Sequence, residues 1–438
     1  MKFGGSSVES AEAIQRVAGI VRERLEQKPV VVVSAMGKTT NRLLQIAETA
    51  ARGEDAALPL LGDLRQFHRR EAARLGAEDG LDSLFQELGR LVKALIAMRE
   101  LTPRLTDAIS AYGERLSSMI VAGAFRRLNV PAAHHDARRS IRTDARHTQA
   151  APLLAPTYQL LEQNLRPMID GGMVPVMGGF IASTEDGVTT TLGRGGSDYT
   201  ASIVGAGIGA REIQIWTDVD GMLTADPTVI SAVQRVETCS FAEAAELAYF
   251  GAKVLHPATV LPAIEKNIPV RILNSRRPEV EGTLIVSDAP PGASPIRSIA
   301  CKRNITLVHI VSSRMLMAHG FLRRIFEVFD RFETPVDMLA TSEVSVSLTV
   351  DNACWLDAIR KELETFAEVS VEQDQAIVCL VGENIRQCPE TAARVFRSLN
   401  GAKPRMVSQG ASQLNLGLVV AAADLPSAVE SLHREFFG

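Results

Sequence analysis

With 438 residues, of which 46% are hydrophobic and 22% charged, the chain is too long for one core and reads as two or three domains. Its formal net charge of -4, mixed along the sequence, excludes the basic field that draws in nucleic acid. No stretch approaches the roughly 18 apolar residues of a membrane span, and the first residues lack the apolar run of a secretory signal, so a cytoplasmic protein acting on small molecules is expected.

The chain opens MKFGGSSV, with a lysine and two glycines ahead of any core. Val8, Ala11, Ile14, Val17, Val21 and Leu25 then recur every three or four residues, which predicts a helix with one buried face. PVVVVSAMGKTTNRLLQIAE follows as an apolar strand over Val30 to Val33, a Ser/Gly/Thr turn and a second helix. Strand, loop and helix repeated in this way indicate α/β architecture. From Glu54 to Leu128 the composition turns helical, and Gly113-Glu114 stands on an otherwise apolar helix. Glu114 is either a solvated helix-face carboxylate or a buried acid that needs a partner; the residues alone leave both open.

The densest stretch runs from Val174 to Pro227. PVMGGFIA reads as a strand, TEDG as a turn, VTTTL as a second strand, and GRGGSDYTASIVGAG as a glycine-rich loop opening a helix. REIQIWTDVDG is a further strand that ends in Thr217, Asp218 and Asp220, so polar residues gather at carboxyl ends of strands, where open α/β sheets bind ligands. GAGIGA (Gly205 to Ala210) fits a dinucleotide fingerprint, but it closes a helix instead of opening one and is expected to serve as a helix terminator. There is no GxxxxGK[ST] P-loop. KFGGSS, GGF and GRGGSD instead supply three loops of accessible backbone N–H groups, with Lys2 and Arg194 adding positive charge and Asp198 and Asp218 nearby, a set suited to phosphoryl transfer. Five scattered cysteines without CxxC spacing argue against a disulfide framework or a structural zinc site.

KFGGSSV, GERLSS, GGF, TTTLGRGGSDYTA, WTDVDGMLTADP and ELAYFGAKVLHPAT, in this order, resemble aspartate kinase of the amino-acid kinase superfamily over essentially the whole chain. The resemblance implies an open, mainly parallel sheet with helices on both faces, and transfer of a phosphoryl group from ATP, as Mg-ATP, to L-aspartate, giving ADP and 4-phospho-L-aspartate. Mg2+ is the expected cofactor, with no direct protein ligand predicted. A carboxylate nucleophile with a pKa of about 4 is already ionised and needs no general base; the difficulty is bringing an anion to a triphosphate.

Carried over by position, Lys2 would bridge the phosphates and Asp198 would orient it, the two being the catalytic pair. Gly4 and Gly5 would offer backbone N–H groups, Thr217 and Asp218 would line the nucleotide site, and Lys253 would reach the phosphates. Glu114 would take the ammonium of aspartate and Arg194 its α-carboxylate, while Ser34, Thr40 and backbone near Phe180 would hold the reacting end. Leu223 and Thr228 stand where one form of the motif has Tyr and Arg, and only Met1 and Lys2 precede Phe3, so either a short first strand or a native start upstream is expected.

Pro, Gly and Ser cluster over Asp288 to Ser298, which predicts a linker (288–298) after a catalytic domain at 1–287. The remainder, 299–438, reads as strand, helix, strand, strand, helix, twice over. It resembles a tandem pair of ACT (βαββαβ) domains, about 299–372 and 373–438, with strand exchange between them allowed for. ACT pairs imply feedback by an amino acid and association into at least a homodimer, or a dimer of dimers. MLMAHGF and VDMLATSEVSVSLT are most similar to the lysine-sensitive bacterial class, which implies an effector site of Met315, Gly320, Phe321, Leu322, Asp337, Ser342 and Glu343. Lysine is the expected effector, with threonine, or lysine together with a second effector, as the alternatives, since Ala318 stands where that class has Ser. A silent amino-acid sensor would have lost Lys2, Glu114, Arg194, Asp198 and Lys253; a kinase for another substrate would not bring GERLSS with an ACT tail.

Overall fold

The computed structural model describes every residue except 252–256, 291, 293, 313–318, 384 and 400, and the side chains of 257 and 258 are likewise outside it. The chain forms two compact units, Met1–Met222 with Leu255–Ser287, and Leu223–Val254 with Asp288–Gly438.

In the first unit the sheet runs in the order Ala132–His135, Val174–Gly178, Val31–Val33, Lys2–Phe3, Ile213–Thr217, Val270–Asn274, Thr283–Val286. All of these neighbours pair in parallel except the last two, which are antiparallel. The continuous valine run fits such a strand, because helices cover both faces: Val31 and Val33 enter one apolar cluster with Ile14, Leu116 and Trp216, while Val30 and Val32 enter another with Leu161, Met177 and Ile203. The first helix, Ala11–Arg22, begins at Ser10, whose side chain accepts from the Ala13 N–H, and it buries Ile14, Val17 and Val21 as the spacing predicts. The helix Gly196–Ile208 ends on Gly209 in the left-handed region (φ 63), so GAGIGA is a terminator.

One element differs from expectation. PVMGGFIA is two strands, Val174–Gly178 and Ile181–Ser183, because Phe180 takes a left-handed φ of 64 and turns the chain between them. Ile181–Ser183 then leaves the main sheet for a ribbon with Thr189–Thr191.

The second unit is built on a sheet ordered Leu339–Thr341, Ser345–Val350, Ser298–Val311, Glu368–Val381, Asn415–Ala421, Met406–Gln409, antiparallel throughout. The two central strands are 14 residues long, and each serves both repeats. Val308 and Ile310 with Val369 and Val371 belong to the core under helices Phe321–Arg331 and Leu356–Leu363, whereas Ile299 with Val378 and Leu380 belongs to the core under Pro389–Ser398 and Leu425–Phe437. The register shifts between Lys302 and Leu307, and Asn304 (φ 58) and Asp374 (φ 54) are left-handed close to this shift, where a bulge relieves the mismatch. The repeat boundary expected near 372 thus lies inside a strand.

Contacts also group Leu223–Val254 with this unit, whereas the sequence reading ran its first domain unbroken to 287. The Ile299 N–H donates to Thr224 O (2.8 Å), Thr224 Oγ1 and His433 Nε2 are 2.8 Å apart, and the buried Glu243 pairs with Arg297 at 3.2 Å. Ser412 Oγ and Asn415 Nδ2 both donate to Glu246, each at 2.7 Å.

Candidate active site

The strands Lys2–Phe3, Val31–Val33, Val174–Gly178 and Ile213–Thr217 are neighbours in the sheet, and being parallel they deliver their carboxyl ends to one edge. Lys2 Nζ lies 2.7 Å from Asp198 Oδ1, in the first turn of the helix Gly196–Ile208. Asp198 Oδ1 is buried and has no well-aligned hydrogen bond, so the contact is a charge pair with capacity left over. Gly4 follows directly; a Cβ there would sit 3.7 Å from Lys2 Nζ. A Cβ on Gly5 would lie 2.9 Å from Ala35 O and 3.0 Å from Gly37 O, so only glycine lets the first loop close on the Ser34–Gly37 turn.

Glu114 stands in the first turn of the helix Tyr112–Arg127 and is buried. Its Oε1 accepts from the Ala35 N–H at 3.1 Å, while Oε2 is buried without a partner among the described residues. Burial pushes the carboxyl up to about 8, against the opposing pull of the Ala35 N–H. Of the two readings left open by the residues, the buried acid is the one found. A Cβ on Gly113 would be 2.8 Å from Ala35 Cβ and 3.6 Å from Thr40 Oγ1, and a Cβ on Gly178 would be 2.8 Å from Glu114 Cβ, so Ser34-Ala35, Thr40, Glu114 and the GGF loop meet here. A Cβ on Gly179 would fall 2.7 Å from Ser197 Cα, which joins the GGF and GRGGSD loops, and the Phe180 N–H donates to Thr200 Oγ1 at 2.9 Å.

Ser34 and Thr40 are half-buried at this edge. Arg194 is exposed on the loop, and no ion pair among the described residues engages it, so its charge is available to an incoming anion. Thr217 ends its strand; its carbonyl accepts from the Ser275 N–H (2.8 Å) and Oγ (3.0 Å), and Ser275 Oγ is 2.8 Å from Ser7 Oγ. Asp218 is exposed, its Oδ1 accepting from Thr217 Oγ1 at 3.2 Å. Lys253 lies outside the described residues.

Sequence reasoning missed Asp107. It is fully buried and accepts from His147 Nδ1 (2.7 Å), the Thr148 N–H (3.0 Å) and Thr191 Oγ1 (2.6 Å). Thr148 O in turn lies 3.2 Å from where a Cβ on Gly193 would be, so Asp107 supports the loop that carries Arg194. Its position in the helix Pro103–Ser110, far in sequence from all three donors, gives no motif to find it by.

Of the expected effector residues, Met315 lies outside the described residues. Gly320 caps the helix Phe321–Arg331, Phe321 is buried in the core and Leu322 is exposed. Ser342 and Glu343 are exposed in the turn between two strands, with Ser342 Oγ 2.7 Å from Ser345 Oγ. Asp337 is half-buried, with its side chain 6% exposed, and already paired, 2.6 Å from Lys302 Nζ, a partner that the sequence reading did not name. Leu223 O accepts from Ser298 Oγ (2.7 Å), and Thr228 Oγ1 donates to Asp226 (2.7 Å), so the two variant positions are engaged within their own unit.

Residues 1–274 match the amino acid kinase family and residues 378–436 an ACT domain. Lysine-sensitive aspartokinase 3 of Escherichia coli K12 is 37% identical over 451 residues, covering 100% of this chain and 98% of that protein. The chloroplastic aspartokinase 1 of Arabidopsis thaliana is 40% identical over 456 residues, with 100% and 80% covered. The structure is similar to that of E. coli aspartokinase III in complex with lysine and aspartate (T-state), at a TM-score of 0.85 and 36% identity over 100% of this chain and 99% of that one. The complex of the same enzyme with aspartate and ADP (R-state) gives a TM-score of 0.83 at the same identity and coverage. A buried carboxyl beside a lysine–aspartate pair and three glycine loops, together with this likeness along the whole chain, makes the protein an aspartokinase of the amino acid kinase family with a carboxyl-terminal ACT region.

Proposed function

We propose that this aspartokinase binds L-aspartate between Glu114 and Arg194 and transfers the phosphoryl group of ATP beside Lys2. The observation that carries the reading is Glu114, a buried carboxyl with one oxygen unpaired and its pKa raised, which is what an amino group entering the site would correct. The α-carboxylate then pairs with Arg194, and Ser34 and Thr40 steady the β-carboxylate. A β-carboxylate oxygen forms the new bond to the γ-phosphorus, the bond to the β,γ-bridging oxygen breaks, and ADP leaves with that electron pair. No proton has to move. Lys2, held by Asp198, and the N–H groups of Gly4 and Gly5 offset charge on the transferring group, while Thr217 and Asp218 hold the nucleotide.

Mg2+ bound with the nucleotide would supply charge neutralisation, and Asp198, whose Oδ1 already faces Lys2 Nζ at 2.7 Å, is the carboxylate that would stand beside it. The ACT region binds lysine through Asp337, Ser342 and Glu343 and slows the kinase, and the protein works in the cytoplasm as a dimer. No helix among the described residues is long and apolar enough to cross a membrane. The test is hydroxamate formation from L-aspartate with Mg-ATP, with and without lysine and threonine. Aspartate-dependent turnover that Glu114→Gln weakens through KM supports the site; turnover unchanged in that variant overturns it.

A further inference from the structure

Lys302 lies on the long strand Ser298–Val311, just before its register shift. Its Nζ is 2.6 Å from Asp337 Oδ1 and 2.9 Å from Asp351 Oδ2. The two acids are unequal, the side chain of Asp337 being 6% exposed and that of Asp351 39%. The other oxygen of Asp337, Oδ2, is buried with no hydrogen-bond partner among the described residues. Burial pushes the Asp337 carboxyl up and Lys302 pulls it back, so the acid depends on a cation beside Oδ1. That cation is supplied by the chain itself.

We propose that Lys302 is a tethered competitor of the effector, its ammonium occupying on Asp337 the place that the side-chain ammonium of a diamino acid takes on binding. The inference rests on the reading that Asp337 belongs to the effector site. Because Oδ2 is sealed, an incoming ammonium must use Oδ1, where two like charges repel, and Lys302 has to withdraw. Withdrawal is inexpensive: Nζ keeps the more exposed Asp351 as partner and lies 5.9 Å from the ring centroid of Tyr249. Binding is then an exchange of one ammonium for another. The hydroxyl of threonine cannot drive it, since a buried carboxylate would trade an ionic partner for a neutral one. Lys302 therefore makes the site selective for ammonium and lowers its apparent affinity by the fraction of time that it holds Asp337.

The full-length enzyme is assayed for lysine inhibition, and lysine binding is followed by calorimetry, in Lys302→Met, Lys302→Gln and Asp337→Asn. The expected result is loss of the lysine response in Asp337→Asn and a fall on the order of tenfold in the half-inhibiting lysine concentration in both Lys302 variants, with uninhibited turnover unchanged. If Asp337→Asn loses the response but the Lys302 variants leave that concentration unchanged or raise it, competition is overturned while the effector reading stands. Failure of both Lys302 variants to fold, judged by circular dichroism, makes Lys302 a structural partner and also overturns it. If Asp337→Asn responds to lysine as the parent does, the effector reading falls and the proposal with it.

Discussion

Asp198 holds Lys2 at 2.7 Å although 196 positions separate them, because the first strand and the helix Gly196–Ile208 both meet the same sheet edge. The pair fixes where the positive charge stands before any nucleotide arrives. Lys2→Met should lower turnover by about 10²–10³-fold with far-UV circular dichroism unchanged, because the lost charge matters most when the phosphoryl group is in flight. Asp198→Asn should lose less, leaving Lys2 present but free to wander. Near-parental turnover in Lys2→Met would sink the assignment.

Glu114 makes the site sensitive to pH. Its carboxyl is pushed up to about 8 by burial, and in the role proposed above it must ionise to receive an ammonium group. In free enzyme kcat/KM for aspartate should therefore rise with pH through about 8, while kcat is flatter because bound aspartate favours the ionised form. Glu114→Gln should flatten the first profile and raise KM for aspartate. An unchanged kcat/KM profile in the variant argues that some other group titrates.

The same residue affects stability in the opposite direction. A folded-state pKa of about 8, above the ordinary value of 4.5, means that the folded protein holds a proton the unfolded chain has released between those values. Stability from this group is complete below 4.5 and is lost as pH rises to about 8. Thermal midpoints of the parent should fall relative to Glu114→Gln over that window, and parallel curves would contradict the shift.

Asp107 is a positioning residue whose effect should reach the substrate. Asp107→Asn removes a charged acceptor from three donors in a fully buried setting, at a cost of about 2–4 kcal/mol read from urea unfolding. Because the loop bearing Arg194 rests on Thr148, KM for aspartate should rise more than KM for ATP. Equal changes in both would reduce Asp107 to a stabilising role.

Gly5 tests close approach alone. Gly5→Ala places a Cβ within 3.0 Å of two backbone carbonyl oxygens, and neither can move without opening the turn after the second strand. Loss of about 1–3 kcal/mol in stability, with weakened ATP binding, is expected. Gly62→Ala, which meets nothing within 4 Å, is the control and should behave as the parent.

Much of this was legible in the residues. Local periodicity located the helix Ala11–Arg22, and the glycines of GAGIGA declared a helix end because a left-handed residue at that position is a local requirement. Lys2, on the two-residue first strand, and Asp198, at a glycine-rich helix start, stood out in the residues as charges beside glycine loops, whereas the residues left Glu114 open and only the family resemblance gave it a role. What stayed hidden depends on distance in the chain. The turn at Phe180 comes from a bulky residue in a conformation that favours glycine, which sequence statistics argue against. Asp107 and Lys302 find their partners across 35 to 84 positions, with no spacing rule linking them. The packing of Leu223–Val254 with the carboxyl-terminal unit rests on contacts such as Thr224 with His433 and on the burial of Ala225 in that unit's core, invisible until the fold is known.

The two 14-residue strands bear on how this region could ever be taken apart or inherited. Since Ile299 belongs to one core and Ile310 to the other on a single strand, a break placed between the repeats strips each of half its centre. Neither half is a portable cassette. Recombination that transplanted one effector fold from a relative would need both, and a protease nick at Asn304 or Asp374 would damage two cores at a single stroke.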